Sequence, residues 1–123
     1  MQPNPILLVV EDEPDIAELI RMEFSMAGWI VQCCESADEA IKVAMVLHPD
    51  VAIVDVLLPG YLDGFELCRR IKQHDSLAAT SVIVLTALDR ETQRMAGKLA
   101  GCDAYVAKPF SPAELLRLAN QLR

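Results

Sequence analysis

The stretch Ile6-Leu7-Leu8-Val9-Val10-Glu11-Asp12-Glu13-Pro14 decides the fold of this chain. Its apolar run has no polar alternation, which is the pattern of a strand buried on both faces. Three acids end the run, and Pro14 then stands where a first helical turn tolerates a missing N–H. Ile16, Leu19, Ile20 and Phe24 continue at helical spacing up to a stop at Gly28. The same alternation repeats along the chain. Residues 29–33 read as a second strand, and Ser36 with Glu39 forms a capping box for a helix carrying Ala40, Ile41, Ala44 and Leu47. Residues 51–54 are a third strand ending at Asp55. After the turn-rich residues 59–64 comes a helix presenting Leu67, Cys68 and Ile71. Residues 82–85 are a fourth strand ending at Thr86. A fourth helix is expected over residues 90–100, with a thin apolar stripe (Met95, Leu99) and an interior Gly97. Residues 105–107 form a short fifth strand running into Lys108-Pro109. Ser111 and Glu114 cap the last helix, lined by Leu115, Leu118, Ala119 and Leu122.

Five strands alternating with five helices imply a doubly wound parallel α/β sheet with right-handed crossovers. The 123 residues are expected to form one domain, over residues 1–123, around one substantial core. Lys plus Arg is 11 and Asp plus Glu is 18, so the net charge is 11 − 18 = −7. An acidic surface repels phosphate backbones, which argues against direct nucleic-acid binding by this domain. At 53% hydrophobic and 24% charged, the composition is that of a folded chain. No apolar run approaches the ~18 residues of a membrane span, and the start MQPNP lacks the pattern of a secretory signal. A soluble, cytoplasmic domain without membrane contact is expected. Cys33, Cys34, Cys68 and Cys102 have no metal-finger or redox-motif spacing and read as small buried hydrophobes of a reducing compartment. His48 and His74 read as surface or capping residues, and Met22, Met26, Met45 and Met95 as core or interface fillers.

In open α/β sheets, ligands bind beyond the carboxyl ends of the strands. Those ends here carry Glu11 and Asp12, Asp55, Thr86 and Lys108. One acid after a strand is ordinarily a solvated loop residue or a cap, as expected for Glu13, Asp15 and Asp89. Carboxylates, a hydroxyl and an ammonium at one structural offset form a different pattern. Packed carboxylates raise one another's pKa unless a cation intervenes. Lys108 offsets one charge, and the remaining excess suits a hard divalent cation, Mg²⁺ first among them in a cytosol. A carboxylate beside such a cation, a hydroxyl and an ammonium is arranged for phosphoryl transfer, with Asp as acceptor.

At these residues the chain resembles the receiver domain of bacterial two-component response regulators. The resemblance runs nearly end to end, on LLVVEDEP (7–14), AIVDVLLP (52–59), DG (63–64), IVLTA (83–87) and AYVAKPF (104–110). It implies a flavodoxin-like five-stranded sheet of order 2-1-3-4-5. It implies that Asp55 is the phosphoacceptor, that Asp12 binds Mg²⁺ directly and Glu11 chiefly through water, and that the main-chain carbonyl of Leu57 is a further ligand. Thr86 and Lys108 match the switch hydroxyl and the phosphate-binding lysine, and Tyr105 the aromatic switch. The Lys108-Pro109 bond is expected to be cis. The donor would be a phosphohistidine of a histidine kinase or phosphotransfer protein. The output would pass through the face made by the fourth predicted helix, the fifth strand and the fifth helix, with Arg94, Lys98, Asp103 and Arg117 on it, to an effector or a homodimer. On this reading the domain catalyses its own phosphorylation and dephosphorylation and is no enzyme toward other substrates. Three departures stand out. The acidic pair is Glu-Asp where Asp-Asp is common, residues 59–64 run one longer at Tyr61 or its neighbour, and Leu57 and Leu88 border the acceptor.

Two rival functions share the pattern less well. A dehalogenase-like phosphatase also uses an Asp nucleophile and Mg²⁺, but places it after the first strand as D-x-D, where this chain has Glu11-Asp12-Glu13. A flavin or nucleotide binder needs a Gly- or Ser/Thr-rich loop at that same place.

Overall fold

In the computed structural model, residues 3–60, 62–87 and 101–123 are described. The strands are β1 (Ile6–Val10), β2 (Ile30–Cys34), β3 (Val51–Asp55), β4 (Ser81–Thr86) and β5 (Ala104–Ala107). The helices are α1 (Pro14–Met26), α2 (Ala37–Leu47), α3 (Gly64–Gln73) and α4 (Pro112–Leu122), the last being the fifth helix expected from the sequence. The helix expected over residues 90–100 lies outside the described residues. All strand pairs are parallel, in the order β2-β1-β3-β4-β5, which is the order implied by the resemblance.

Strand alternation divides the core into two layers. Leu8, Val10, Ala52, Val54, Val82 and Val84 pack under α2 and α3. Leu7, Val9, Val51, Ile53, Ile83 and Leu85 pack under α1 and α4. Burial of both faces is what the unbroken apolar runs require. Ser36 Oγ accepts from the Glu39 N–H, and Ser111 Oγ from the Glu114 N–H, so both predicted caps form. His48 ends α2 in the left-handed region, and His74 caps α3.

Several side chains lie elsewhere than their spacing suggested. Leu19 falls within the helical repeat, yet it is more than half exposed, because α1 buries chiefly Ile20 and Phe24. Met22, Met26 and Met45 are exposed, so none fills the core. Asp103, expected on the open face, instead turns toward α3: its carboxylate accepts the Val82 N–H and pairs with Lys72, each at 2.7 Å. An N–H at the start of β4 needs an acceptor there, and Asp103 supplies it. Of the cysteines, Cys34 and Cys68 are buried as expected, while Cys33 and Cys102 are half-buried.

Candidate functional site

The carboxyl edge of the sheet gathers side chains from β1, β3 and β5. Glu11 follows β1 at a point where its own N–H still bonds Cys34 O, at 3.0 Å, which keeps the chain in the sheet. Its side chain is fully buried, and Oε2 accepts the Glu13 N–H at 3.3 Å. Asp12, next along, is exposed. Asp55 ends β3, 6% exposed, and its Oδ1 accepts the Leu57 N–H at 3.3 Å. The main chain here is pinned twice, by Val56 N–H to Leu85 O at 3.0 Å and by Gly64 N–H to Val56 O at 2.9 Å.

Gly64 explains half of the Asp63-Gly64 pair quoted above. A Cβ at this position would lie 2.2 Å from the Asp55 carbonyl oxygen and 2.9 Å from Val56 Cα. Only glycine lets α3 begin against the end of β3. Asp63 explains the other half, since its Oδ1 accepts the Glu66 N–H at 2.8 Å and caps the helix.

Lys108 arrives from β5. Its N–H bonds Thr86 O at 2.8 Å, and the Lys108–Pro109 peptide is cis. Nζ reaches Glu11 Oε1 at 3.2 Å and Asp55 Oδ2 at 3.1 Å, bridging the two buried carboxylates. The carboxylate oxygens of Glu11, Asp12 and Asp55 lie within 4.8 Å of one another. Three acids therefore face one ammonium. Burial pushes the Glu11 carboxyl up to about 7, aided by a hydrogen bond to Asp55 and that group's charge, while the Glu13 N–H and Lys108 pull the other way. Burial also works against the Lys108 ammonium. The hydrogen bonds and charges of Asp55 and Glu11 outweigh it and hold Lys108 above the usual lysine range.

Thr86 ends β4, buried, paired in register with Ala107. Tyr105 is half-buried and pairs with Val84. By strand alternation Thr86 and Tyr105 share one face of the sheet, and Asp55 continues the opposite one. Leu57, two residues past Asp55, is 63% exposed, and Leu88 and Tyr61 lie outside the described residues. Glu11, Asp12, Asp55 and Lys108 thus converge, with Thr86 at the same edge and Tyr105 one step behind it. The close approach at Gly64 was not derivable from spacing, although the Asp-Gly pair flagged the position. Beside Lys108, a groove of about 390 Å³ runs between α1 and the chain leading to α4, lined by Ile16, Leu19, Lys108, Pro109, Phe110 and Pro112.

A hard, oxygen-only donor set with excess negative charge is the kind that Mg²⁺ takes. The family model of the response regulator receiver domain matches residues 7–120. The chain belongs to that family. The receiver domain is 40% identical over 118 residues to the transcriptional regulatory protein ResD of Bacillus subtilis. That match takes in 95% of this chain and 48% of ResD, so the domain spans about half the length of this relative. Among solved structures, a putative response regulator from Chloroflexus aurantiacus is similar at a TM-score of 0.91 and 36% identity, with 98% of each chain covered. The receiver domain of the sensor histidine kinase PA1611 from Pseudomonas aeruginosa has a magnesium ion coordinated in its active site cleft. It matches at a TM-score of 0.87 and 29% identity, again with 98% of each chain covered. The phosphatase reading finds no support in this fold, where the candidate acceptor ends β3 and not β1. No helix among the described residues is long and apolar enough to cross a membrane.

Proposed function

We propose that Asp55 is the phosphoacceptor of this receiver domain, taking its phosphoryl group from a phosphohistidine of a histidine kinase or phosphotransfer protein. The observation that carries this reading is the Lys108 ammonium held between Asp55 and Glu11, with Asp12 exposed beside them. An Asp55 carboxylate oxygen forms the new P–O bond as the P–N bond to the donor imidazole breaks, and the imidazole departs neutral after taking up a proton. Lys108 is positioned to follow the transferred group and neutralise its oxygens, and the Thr86 hydroxyl is placed to donate to one of them. Asp12, Asp55 and the Leu57 carbonyl would hold Mg²⁺, with Glu11, already committed to Lys108 and the Glu13 N–H, acting through water. The bound ion would supply further charge neutralisation at the phosphoryl oxygens. The apolar groove beside Lys108, with exposed Leu19 on its rim, suits contact with the donor protein.

The domain acts on itself alone, in the cytoplasm, where the response passes onward by shape. Inward movement of Thr86 toward the phosphoryl group makes room for the Tyr105 ring, and the face carried by β5 and α4 then selects an effector or a second copy. Its acidic charge keeps nucleic acid off the domain itself. Acetyl phosphate with Mg²⁺ should label the parent with an alkali-labile acyl phosphate and leave Asp55→Asn unlabelled. Full labelling of that variant removes Asp55 from the role.

A further inference from the structure

Away from the phosphoacceptor edge, two cysteines distant in sequence meet in space. Cys68 lies in the core on α3, fully buried, and Cys102 packs against the same cluster from the chain entering β5. Their side chains are hydrogen-bonded to each other. Neighbouring contacts hold the two segments together. Lys72, one helical turn beyond Cys68, pairs with Asp103 at 2.7 Å and donates to Thr80 O at 2.7 Å. A Cβ on Gly101 would sit 3.7 Å from the Lys72 side chain. The thiols therefore meet between two segments that the Lys72–Asp103 pair holds together.

The two members differ in burial. Cys102 is half-buried and open to small solutes, whereas Cys68 is sealed. The hydrogen bond from Cys68 lowers the Cys102 pKa, against its own burial, and that same bond together with burial raises Cys68. The remaining cysteines form no such pair. Cys33 and Cys34 are consecutive in β2 and point into opposite layers of the core. Burial raises both, Cys34 to about 12.

We propose that Cys68 and Cys102 are a peroxide-oxidisable dithiol, which closes to an intramolecular disulfide and reopens with thiol reductants. The Cys102 thiolate attacks a peroxide oxygen, giving the sulfenic acid and, from hydrogen peroxide, hydroxide that takes up the proton Cys102 released. The Cys68 sulfur then attacks the sulfenic sulfur, forming the S–S bond. The departing hydroxyl takes the Cys68 proton and leaves as water. In sum, two thiols lose two electrons and two protons while one peroxide becomes two waters. The bridge would tie α3 covalently to the chain just before Tyr105, on the side of the sheet that carries Thr86.

The test is peptide mapping of the intact, reduced chain after hydrogen peroxide, without reductant. The expected product is one monomeric species with Cys68 joined to Cys102, two hydrogens lighter and restored by dithiothreitol. Cys102→Ser should abolish the crosslink. In Cys68→Ala, which removes both the resolving sulfur and the hydrogen-bond donor, dimedone should trap Cys102 as its sulfenic acid, formed several-fold more slowly than in the parent because the donor to the thiolate is gone. Oxidation at Cys33 or Cys34 ahead of Cys102, Cys102 passing to sulfinic acid in the parent without a bridge, or no reaction at all would overturn the proposal.

Discussion

The two ends of one sheet use polar side chains in opposite ways. At the amino edge they are spent chiefly on main chain. Thr80 Oγ1 donates to Pro49 O at 2.7 Å, Ser81 Oγ to Leu122 O at 2.9 Å, and Asp50 accepts the Ile6 N–H at 2.8 Å. At the carboxyl edge the charged side chains are turned on each other, and Lys108 bridges two acids while a third stands by. The first arrangement is electrically quiet and closes the fold. The second leaves charge unbalanced in a buried place, a condition that costs stability and is retained where a ligand is to complete it. Stability and function are thus separated along the strand direction.

That separation can be broken from either end. The largest effect is expected for Lys108→Met, which keeps the stem and removes the ammonium. Labelling of Asp55 by acetyl phosphate should slow by about 100-fold, the scale of losing one charged stabiliser of a transferring group. A near-parent rate would mean that Lys108 only balances charge in the resting domain.

Next in size is a pH effect in metal-free protein. Glu11 is raised from 4.5 to about 7 in the fold, so between these values the native state holds a proton that the unfolded chain has released. Its contribution is fully present below pH 4.5 and is lost as pH rises from there through about 7, a fall on the order of 3 kcal/mol. Urea unfolding of the parent and of Glu11→Gln at a series of pH values should show the decline in the first and a flatter profile in the second. Parallel profiles would place the titrating group elsewhere.

The smallest effect belongs to the amino edge. Thr80→Val preserves shape and strands the Pro49 carbonyl, at about 1 kcal/mol. Denaturation should register that loss while the labelling rate stays at the parent value. A change in labelling would show that the two edges are coupled through the strands.

Much of this division was legible in the sequence, because strands buried on both faces leave a plain apolar signal and whatever polar residue ends them is conspicuous. Glu11, Asp55, Thr86 and Lys108 were found that way. Positions on exposed helix flanks were less so. Leu19 and Met22 satisfy a helical repeat as well as Ile20 does, and periodicity alone does not say which flank meets the sheet. Contacts between distant segments were not legible at all. Nothing in the spacing of Cys68 and Cys102, or in Asp103 following a glycine-ended segment, indicates that both cysteines and the Lys72–Asp103 pair meet beside α3. Those arise from how α3 lies against β3 and β4 and meets the chain entering β5, which is a property of the assembled layers.

The double pin around Val56 bears on how this family can vary. The chain leaving Asp55 is fastened at Val56, and the next fastening, Gly64, returns to that same residue. The chain thus departs from and returns to one point, and the mouth between is shut. A change of length between these two fastenings would therefore be absorbed outside the clasp, and the Asp55 carboxylate would keep its aim. Length and composition there can change without moving Asp55, so long as residue 64 carries no side chain.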